Sequence, residues 1–330
     1  MKFGLEGLQL AERGDTEAGV GQVRVRINAC SLNYRDWMMA MGTYNPRQRL
    51  PLIPLSDGVG IVEAVGENVT RVAVGDRVAA IFSQGWIGGA PTRERTRATL
   101  GGPLDGMLRG YAVFDAESVV RVPGHLTDEE AASLPCAGVT AWNALITQGN
   151  VQPGDVVVVQ GTGGVSIFAL QFARMAGAQV IVTSSSDEKL ARARELGAWA
   201  TINYVEHPDW DRQVRQLTGG IGADHIIEVG GAGTLARSLK AIRIGGTISV
   251  IGVLGGSAVE VLLTPILMQN VRLQGVMVGS RDIFESMNRA IETNEMRPVV
   301  DRVFGFEEAV GAFDYLAAGR HFGKVCIRVA

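Results

Sequence analysis

The sequence predicts an α/β protein of two domains, a doubly wound parallel sheet and a smaller irregular β-barrel, on three observations. Its length, 330 residues, is more than one core of ordinary size requires. From Pro153 onward, six short β-branched runs alternate with helical stretches, the pattern of a parallel sheet covered on both faces. Before Pro153, short strands succeed one another through Gly-Asp turns with little helix between them, as in a small barrel.

The parallel sheet rests first on Val156-Val157-Val158-Val159-Gln160, a run of the kind buried on both faces. Gly161-Thr162-Gly163-Gly164-Val165-Ser166 then makes a tight turn, and Ile167 to Ala176 has the Ala/Leu/Phe pattern of a helix packed on a sheet. Strand, glycine turn and helix are the context that the dinucleotide-binding fingerprint requires. Gly161 permits the turn, and Gly163, with Gly164 and Val165 beside it, lets backbone N–H groups approach a pyrophosphate. The positive end of the helix dipole favours that anion. Ser166 takes the third fingerprint position and is small enough for close helix–strand packing.

The first part of the chain reads in order as follows. Gln22 to Ala29 alternates apolar and polar residues like a half-buried strand. Ser31 to Met39 is a turn and short helix, Pro51 and Pro54 mark a loop, and Gly58 to Gly66 is a second strand. Val74-Gly75-Asp76-Arg77 turns into a third at Val78 to Ala80. Residues 83–110 are polar, Gly-rich and without period, and are expected to form a long surface lobe. Leu126 to Leu134 begins a helix with Thr127 and Asp128 as caps, and Thr140 to Leu145 forms another.

Past the glycine turn, strand 179–183 leads to a helix from Asp187 to Leu196, capped by Asp187 and closed by Gly197. Strands at 200–203, 224–229, 247–251 and 273–278 continue the alternation, with helices at 210–217 and 233–242. The pattern stops near residue 290, and residues 299–330 read as a helix and a strand returning to the first domain. The expected domains are 1–122 with 299–330, and 123–298.

Hydrophobic content of 46% against 20% charged residues leaves ample core for a soluble globular protein. A net charge of −3 without a polybasic block argues against nucleic acid and anionic membrane as partners. Cys30, Cys136 and Cys326 are isolated, which argues for a reducing compartment and against a disulfide framework. Met1 to Gly7 lacks the apolar core of a secretory leader, and no 18-residue apolar run is present, so a cytoplasmic location is expected.

The choice of nucleotide turns on the end of the second parallel strand. In this fold an acidic residue there bonds the adenosine ribose hydroxyls; here the position holds Thr183-Ser184-Ser185-Ser186. A carboxylate repels a 2′-phosphate carrying roughly −1.5 to −2 charges, so hydroxyls in its place relax that exclusion. Ser184 and Ser185, Lys189 one helical turn on, and Tyr204 at the end of the third strand are the candidates for the phosphate and adenine. The expected cofactor is NADPH (NADP+) rather than NADH, with Lys189 on a solvated helix face and Tyr204 on a loop as the plainer alternative.

Taken together the chain resembles the medium-chain dehydrogenase/reductase superfamily over essentially all of its length, and within it the zinc-free, quinone-oxidoreductase-like branch. The resemblance is carried by Ser31-Leu32-Asn33-Tyr34-Arg35-Asp36, Pro54-Leu55-Ser56-Asp57-Gly58-Val59-Gly60, Val74-Gly75-Asp76-Arg77-Val78, Leu134-Pro135-Cys136-Ala137-Gly138-Val139-Thr140-Ala141-Trp142, the glycine turn, and His321-Phe322-Gly323-Lys324-Val325. It implies a GroES-like β-barrel catalytic domain and a Rossmann domain. Alcohol dehydrogenases of the superfamily hold a catalytic zinc through a Cys, a His-Glu pair and a second Cys. Asn33 stands where the first Cys would be, Ser56 and Asp57 replace His-Glu, and Cys136 alone keeps its place. An amide, a hydroxyl and one thiol make a poor zinc site, so no metal is expected and Cys136 reads as a small buried hydrophobe. The four closely spaced cysteines of the structural zinc lobe are absent from residues 83–110.

Without zinc to polarise a carbonyl, the acceptor must take hydride readily, as quinones and α,β-unsaturated carbonyls do. The segment that faces the nicotinamide in this family offers Tyr44 as first hydrogen-bond donor and Asn33 as second, with Tyr44 as a loop aromatic and Arg35 as a brace on Asp36 or Asp57 for the structural alternatives. The resemblance puts Thr140 beside the nicotinamide ring. Gly252, Val253 and Leu254 end the fifth strand on the crevice side, Ser280 follows the sixth, and His321 and Lys324 come from the returning tail as further cofactor contacts. The reading is an NADPH-dependent oxidoreductase acting on a small electrophilic carbonyl or quinone. Two others stand beside it: an alcohol dehydrogenase with an atypical zinc site, and a non-catalytic NADPH-binding protein. Edge strand 272–278 is expected, mainly from family habit, to pair in a homodimer.

Overall fold

The computed structural model describes residues 2–14 and 16–330. Two compact units divide the chain: Met1–Val139 with Val278–Ala330, and Thr140–Met277. In the first, β1 (Gln22–Leu32) is followed by α1 (Tyr34–Ala40), β2 (Asp57–Val65), β3 (Arg77–Ala80), α2 (Arg93–Thr96), β4 (Tyr111–Asp115), β5 (Val119–Arg121) and α3 (Asp128–Ala132). β1 organises this sheet. Val23, Val25 and Ile27 point inward in the expected alternation, but from Ala29 to Leu32 every residue is buried, so the strand runs further than its alternation and is covered on both sides. Along one edge it pairs with β2 throughout, with irregularities at Arg24/Val25 and Ile27/Ala29.

The lobe expected at the surface is partly core. Trp86, Leu100 and Met107 are each 3% exposed or less, and Leu100 and Met107 belong to the barrel's apolar cluster with Val25, Ile27 and Leu55. Met107 N–H donates to Leu55 O at 2.8 Å, and its own carbonyl accepts from Cys30 Sγ at 3.0 Å. Isolated apolar residues in a Gly-rich run carry no period, and so escape a reading by pattern. After α3, which Thr127 caps with Glu130 closing the box, residues 134–138 wind as a π-helix.

The second unit contains α4 from its second residue (Val139–Trp142), β6 (Val156–Gln160), α5 (Gly164–Met175), β7 (Gln179–Ser184), α6 (Asp187–Glu195), β8 (Ala200–Asn203), α7 (Trp210–Leu217), β9 (Ala223–Glu228), α8 (Leu235–Ala241), β10 (Ile242–Val250), α9 (Leu263–Met268) and β11 (Arg272–Gly275). Its six strands run in the order β11-β10-β9-β6-β7-β8, all neighbours parallel. Chain order reverses between β6 and β9, the switch point at which open α/β sheets bind ligands. Val157, Val158, Val159, Ile226 and Ile227 are fully buried, as strands covered on both faces require.

The chain then re-enters the first unit through α10 (Arg281–Thr293), β12 (Val300–Gly305), α11 (Ala309–Ala317) and β13 (Lys324–Arg328). Two strands return rather than one. β12 lies parallel to β13, and β13 pairs antiparallel with Ala29 to Leu32 of β1, completing the order β12-β13-β1-β2-β3-β5 with β4 on the outer half of β1. The expected boundaries at 122/123 and 298/299 lie inside this unit, because α3 packs on β1 and β2 and α10 packs on β5.

Candidate active site

In the second unit the glycine turn is built as a cradle. Gly161 sits at φ +71°, which an L side chain adopts at a cost, and its N–H donates to Thr183 O at 2.8 Å. Gly163 caps α5 and has no side chain to accept from the first turn, so among the described residues the leading N–H groups of this 12-residue helix, those of Gly164 and Val165 among them, have no side-chain cap. Ser166 is buried, and its hydroxyl donates to Gln160 O at 2.7 Å, pinning turn to strand.

At the end of β7, Ser184 is buried and its Oγ accepts from Ser186 N–H at 3.3 Å, while Ser185 is exposed. Ser186, not Asp187, caps α6: its hydroxyl accepts from Lys189 N–H. Serine wins the cap because it is the last extended residue. Asp187 is the first helical one, and its carboxylate accepts from Asn203 Nδ2 at 2.9 Å. No carboxylate therefore occupies the two residues directly after the strand. Lys189 is half-buried, and Tyr204 is exposed, its N–H on Ser184 O at 3.1 Å. Thr140 is buried in α4. Gly252 approaches the chain closely, since a Cβ there would meet Val229 O at 2.7 Å; Val253 and Leu254 beyond it are exposed.

A second feature of this end of the sheet escaped the sequence reading. Glu228, fully buried, ends β9 beside Gln160 at the end of β6. Its Oε1 accepts from Gly230 and Gly231 N–H at 2.9 and 3.0 Å and from the Thr234 hydroxyl. Its Oε2 accepts from Gln160 Nε2 at 2.8 Å and from the Ser238 hydroxyl. Gln160 Oε1 in turn accepts from Val229 and Gly230 N–H. The two glycine-bearing loops are thereby tied together. The signal available was one polar residue closing each of two adjacent apolar runs.

In the first unit, three of the singled-out motifs converge on one side chain. Lys324 opens β13, is 3% exposed, and its Nζ donates to Leu32 O at 2.8 Å and to Asn33 Oδ1 at 2.6 Å. The same ammonium lies 3.8 Å from Asp57 Oδ2. Asn33 Nδ2 donates to Ser56 Oγ at 3.4 Å, Ser56 Oγ donates to Asp57 Oδ1 at 2.8 Å, and Cys136 N–H donates to Asp57 Oδ2 at 3.2 Å. Burial raises the Asp57 carboxyl to about 6 against the pull of Lys324, with Asp36 adding to the rise. Asp36 is buried too and also raised; Arg35 and the Asn33 N–H, 2.8 Å from its Oδ2, counter the burial. Arg35 is a brace, bonded to Asp36, Leu100 O and Gly102 O, with its guanidinium over the exposed Tyr44 ring at 5.0 Å. Ser280 caps α10 through Ile283 N–H, and His321 is half-buried. Of the residues expected at the cofactor, Lys324 is thus joined to Asn33 and Asp57.

Comparison with known proteins decides the family. Residues 19–124 match the alcohol dehydrogenase GroES-like domain, and residues 164–293 match the zinc-binding dehydrogenase family. A zinc-type alcohol dehydrogenase-like protein of Schizosaccharomyces pombe is 45% identical over 315 residues, 94% of this chain and 91% of the relative. This chain is a medium-chain dehydrogenase/reductase. Among solved structures, an NAD-dependent alcohol dehydrogenase superposes with a TM-score of 0.92 at 34% identity, over 100% of this chain and 98% of its own. A mycobacterial protein solved with NADPH superposes with a TM-score of 0.83 at 26% identity, over 100% and 98%. This dehydrogenase/reductase is accordingly an oxidoreductase, from a superfamily whose members include zinc-type and quinone-oxidoreductase-like proteins.

The zinc that one matched family's description implies meets an unsuitable donor set in this dehydrogenase/reductase. Cys136 is the one sulfur donor on offer, and burial with the nearby Asp57 pushes its thiol up. The other donors are an amide, a hydroxyl and one carboxylate, and a lysine ammonium is bonded to the amide oxygen and faces the carboxylate. A cation already in that company repels a second. Among the described residues, no group of three or more His, Cys, Asp or Glu is arranged to hold a metal ion.

Proposed function

We propose that this oxidoreductase uses NADPH to reduce quinones and α,β-unsaturated carbonyl compounds without a catalytic metal. The observation that carries the reading is the Lys324–Asn33–Asp57 cluster, which puts an amide, a buried carboxylate and an internal cation where a zinc enzyme needs anionic or imidazole ligands. When bound, the nicotinamide supplies hydride. The uncapped start of α5 and the Gly161–Val165 turn hold the pyrophosphate, the Ser184-Ser185 pair with Lys189 and Tyr204 takes the 2′-phosphate and adenine, and Thr140, Gly252, Val253 and Leu254 hold the nicotinamide end. Ser280 and His321 are further cofactor contacts. As the substrate accepts hydride its oxygen gains negative charge, which Asn33 and Tyr44 meet as hydrogen-bond donors before water supplies the proton.

The protein is further proposed to be a cytoplasmic homodimer. β11 is a sheet edge, and Leu262, Leu263, Leu267 and Met268 around α9 are 73–79% exposed, an apolar face that a second copy covers. Sedimentation at micromolar concentration checks this, with a dimer expected and a monomer against it.

The direct test is oxidation of NADPH and of NADH with a panel of quinones, enones and simple aldehydes. NADPH is expected to be preferred by kcat/KM, and Ser185→Asp to lower that preference by about tenfold or more by returning a carboxylate beside the 2′-phosphate. The names of the yeast relative and of the NAD-dependent structural neighbour favour a second reading, an alcohol dehydrogenase; preference for NADH with simple aldehydes would establish it.

A further inference from the structure

We propose that Lys324 is the resident cation of this active site, acting through Asn33 as a positioning residue that replaces a Lewis acid with a polarised amide. The inference rests on the reductase reading above and adds to it the role of one residue. Lysine donates and never accepts, so the Asn33 atom 2.6 Å from Nζ is its oxygen. That bond fixes which way the amide faces. It also draws electron density toward Oδ1 and makes the Nδ2 hydrogens stronger donors, as chained hydrogen bonds do in a low-dielectric setting.

Those hydrogens are directed to Ser56 Oγ, at a long 3.4 Å, and toward the Asp57 carboxylate, so the long bond is the one that a substrate oxygen replaces. Asn33 is half-buried, whereas Lys324, Ser56 and Asp57 are buried. Of this ring of four, Asn33 is the residue that retains surface.

The surroundings hold the ammonium in place. Leu32 O takes a second of its hydrogens, and Asp57, itself satisfied by Ser56 Oγ and Cys136 N–H, balances its charge from 3.8 Å. Lys324 is the first residue of β13, and that strand is registered against β1 at Leu32↔Val325, so strand pairing delivers the side chain to the start of α1. As hydride reaches the electrophilic carbon of an enone, the π electrons move onto the carbonyl oxygen. Asn33 Nδ2 donates to that oxygen, and water then provides the proton.

Three variants test this in NADPH-dependent reduction of a quinone and an enone, with NADPH affinity measured separately by fluorescence titration. Lys324→Met keeps the side chain's length and removes its charge. It is expected to lower kcat about 100-fold, the effect of losing one oxyanion donor, with KM and NADPH affinity within about threefold of the parent. Lys324→Arg restores the cation and is expected to recover at least about a tenth of kcat. Asn33→Ala leaves Lys324 bonded to Leu32 O and is expected to match Lys324→Met, with the double variant no more than about threefold worse than either, because the two act as one unit. If Lys324→Met does not accumulate folded, Asn33→Ala carries the test alone, and full kcat in it overturns the proposal. An active parent whose Lys324→Met variant has unchanged kcat but NADPH affinity weakened about tenfold or more also overturns it, making Lys324 a cofactor ligand. A parent that turns over none of the acceptors removes the reductase reading, and the inference with it.

Discussion

Asp57 and Glu228 are fully buried carboxylates, one in each unit, and they are held in opposite ways. Asp57 has two hydrogen bonds and faces a lysine ammonium at 3.8 Å, and burial still raises it to about 6. Among the described residues Glu228 forms no ion pair: two backbone N–H groups, two hydroxyls and one amide converge on its oxygens. Burying a charge is tolerated when its lone pairs are met, whether by dipoles or by a counter-charge. Only the second solution leaves an internal cation, and it lies against Leu32 O and Asn33 at the start of α1. The dipole solution lies where backbone loops must keep a fixed shape.

The comparison breaks most visibly at Glu228. Glu228→Ala strands five donors at once and is expected to cost about 4 kcal/mol or more, read by urea unfolding. NADPH affinity should fall in whatever protein remains folded, because the loops lose their tie. Glu228→Gln keeps one acceptor oxygen and turns an amide toward donors, so a smaller loss of about 2 kcal/mol is expected. If Glu228→Ala unfolds with the parent's midpoint, the network is ornamental.

Asp57 sharpens the contrast through pH. Its folded value of about 6 lies above its ordinary 3.8, so the folded state binds the proton more tightly. That stabilisation is full below pH ~4 and is lost as pH rises to ~6, a swing of about 3 kcal/mol. Asp57→Asn removes the group, and its unfolding free energy should lack this fall between pH 4.5 and 7.5; an identical slope in parent and variant contradicts the assignment. A smaller effect is expected at Ser166. Ser166→Ala removes the bond to Gln160 O and should cost about 1 kcal/mol in the same assay.

The two regions also differed in how much of them the sequence disclosed. The second unit was legible almost element by element, because β-branched runs and amphipathic helices alternate in a local code: strand 156–160 and helix 164–176 fall within a residue of β6 and α5. Its Glu228 network was not, since a polar residue at a strand end looks the same whether it faces solvent or a partner. In the first unit, β1 showed only as far as its alternation lasted. Leu100 and Met107 reach the core from a run with no period, and β12 was missed because the adjacent Asp301 and Arg302 break its alternation. Asn33, Ser56, Asp57 and Lys324 were each singled out from resemblance, but their meeting depends on β13 pairing with β1, a contact between residues nearly 300 positions apart. Pairing at that separation leaves no local trace.

The central claim, that an internal ammonium stands where a metal would, is met most directly by zinc analysis of the purified protein coupled to turnover after chelation. Far less than one zinc per chain is expected, with NADPH-dependent reduction of a quinone or enone undiminished by chelator. One zinc per chain, whose removal abolishes turnover and whose return restores it, would contradict the account.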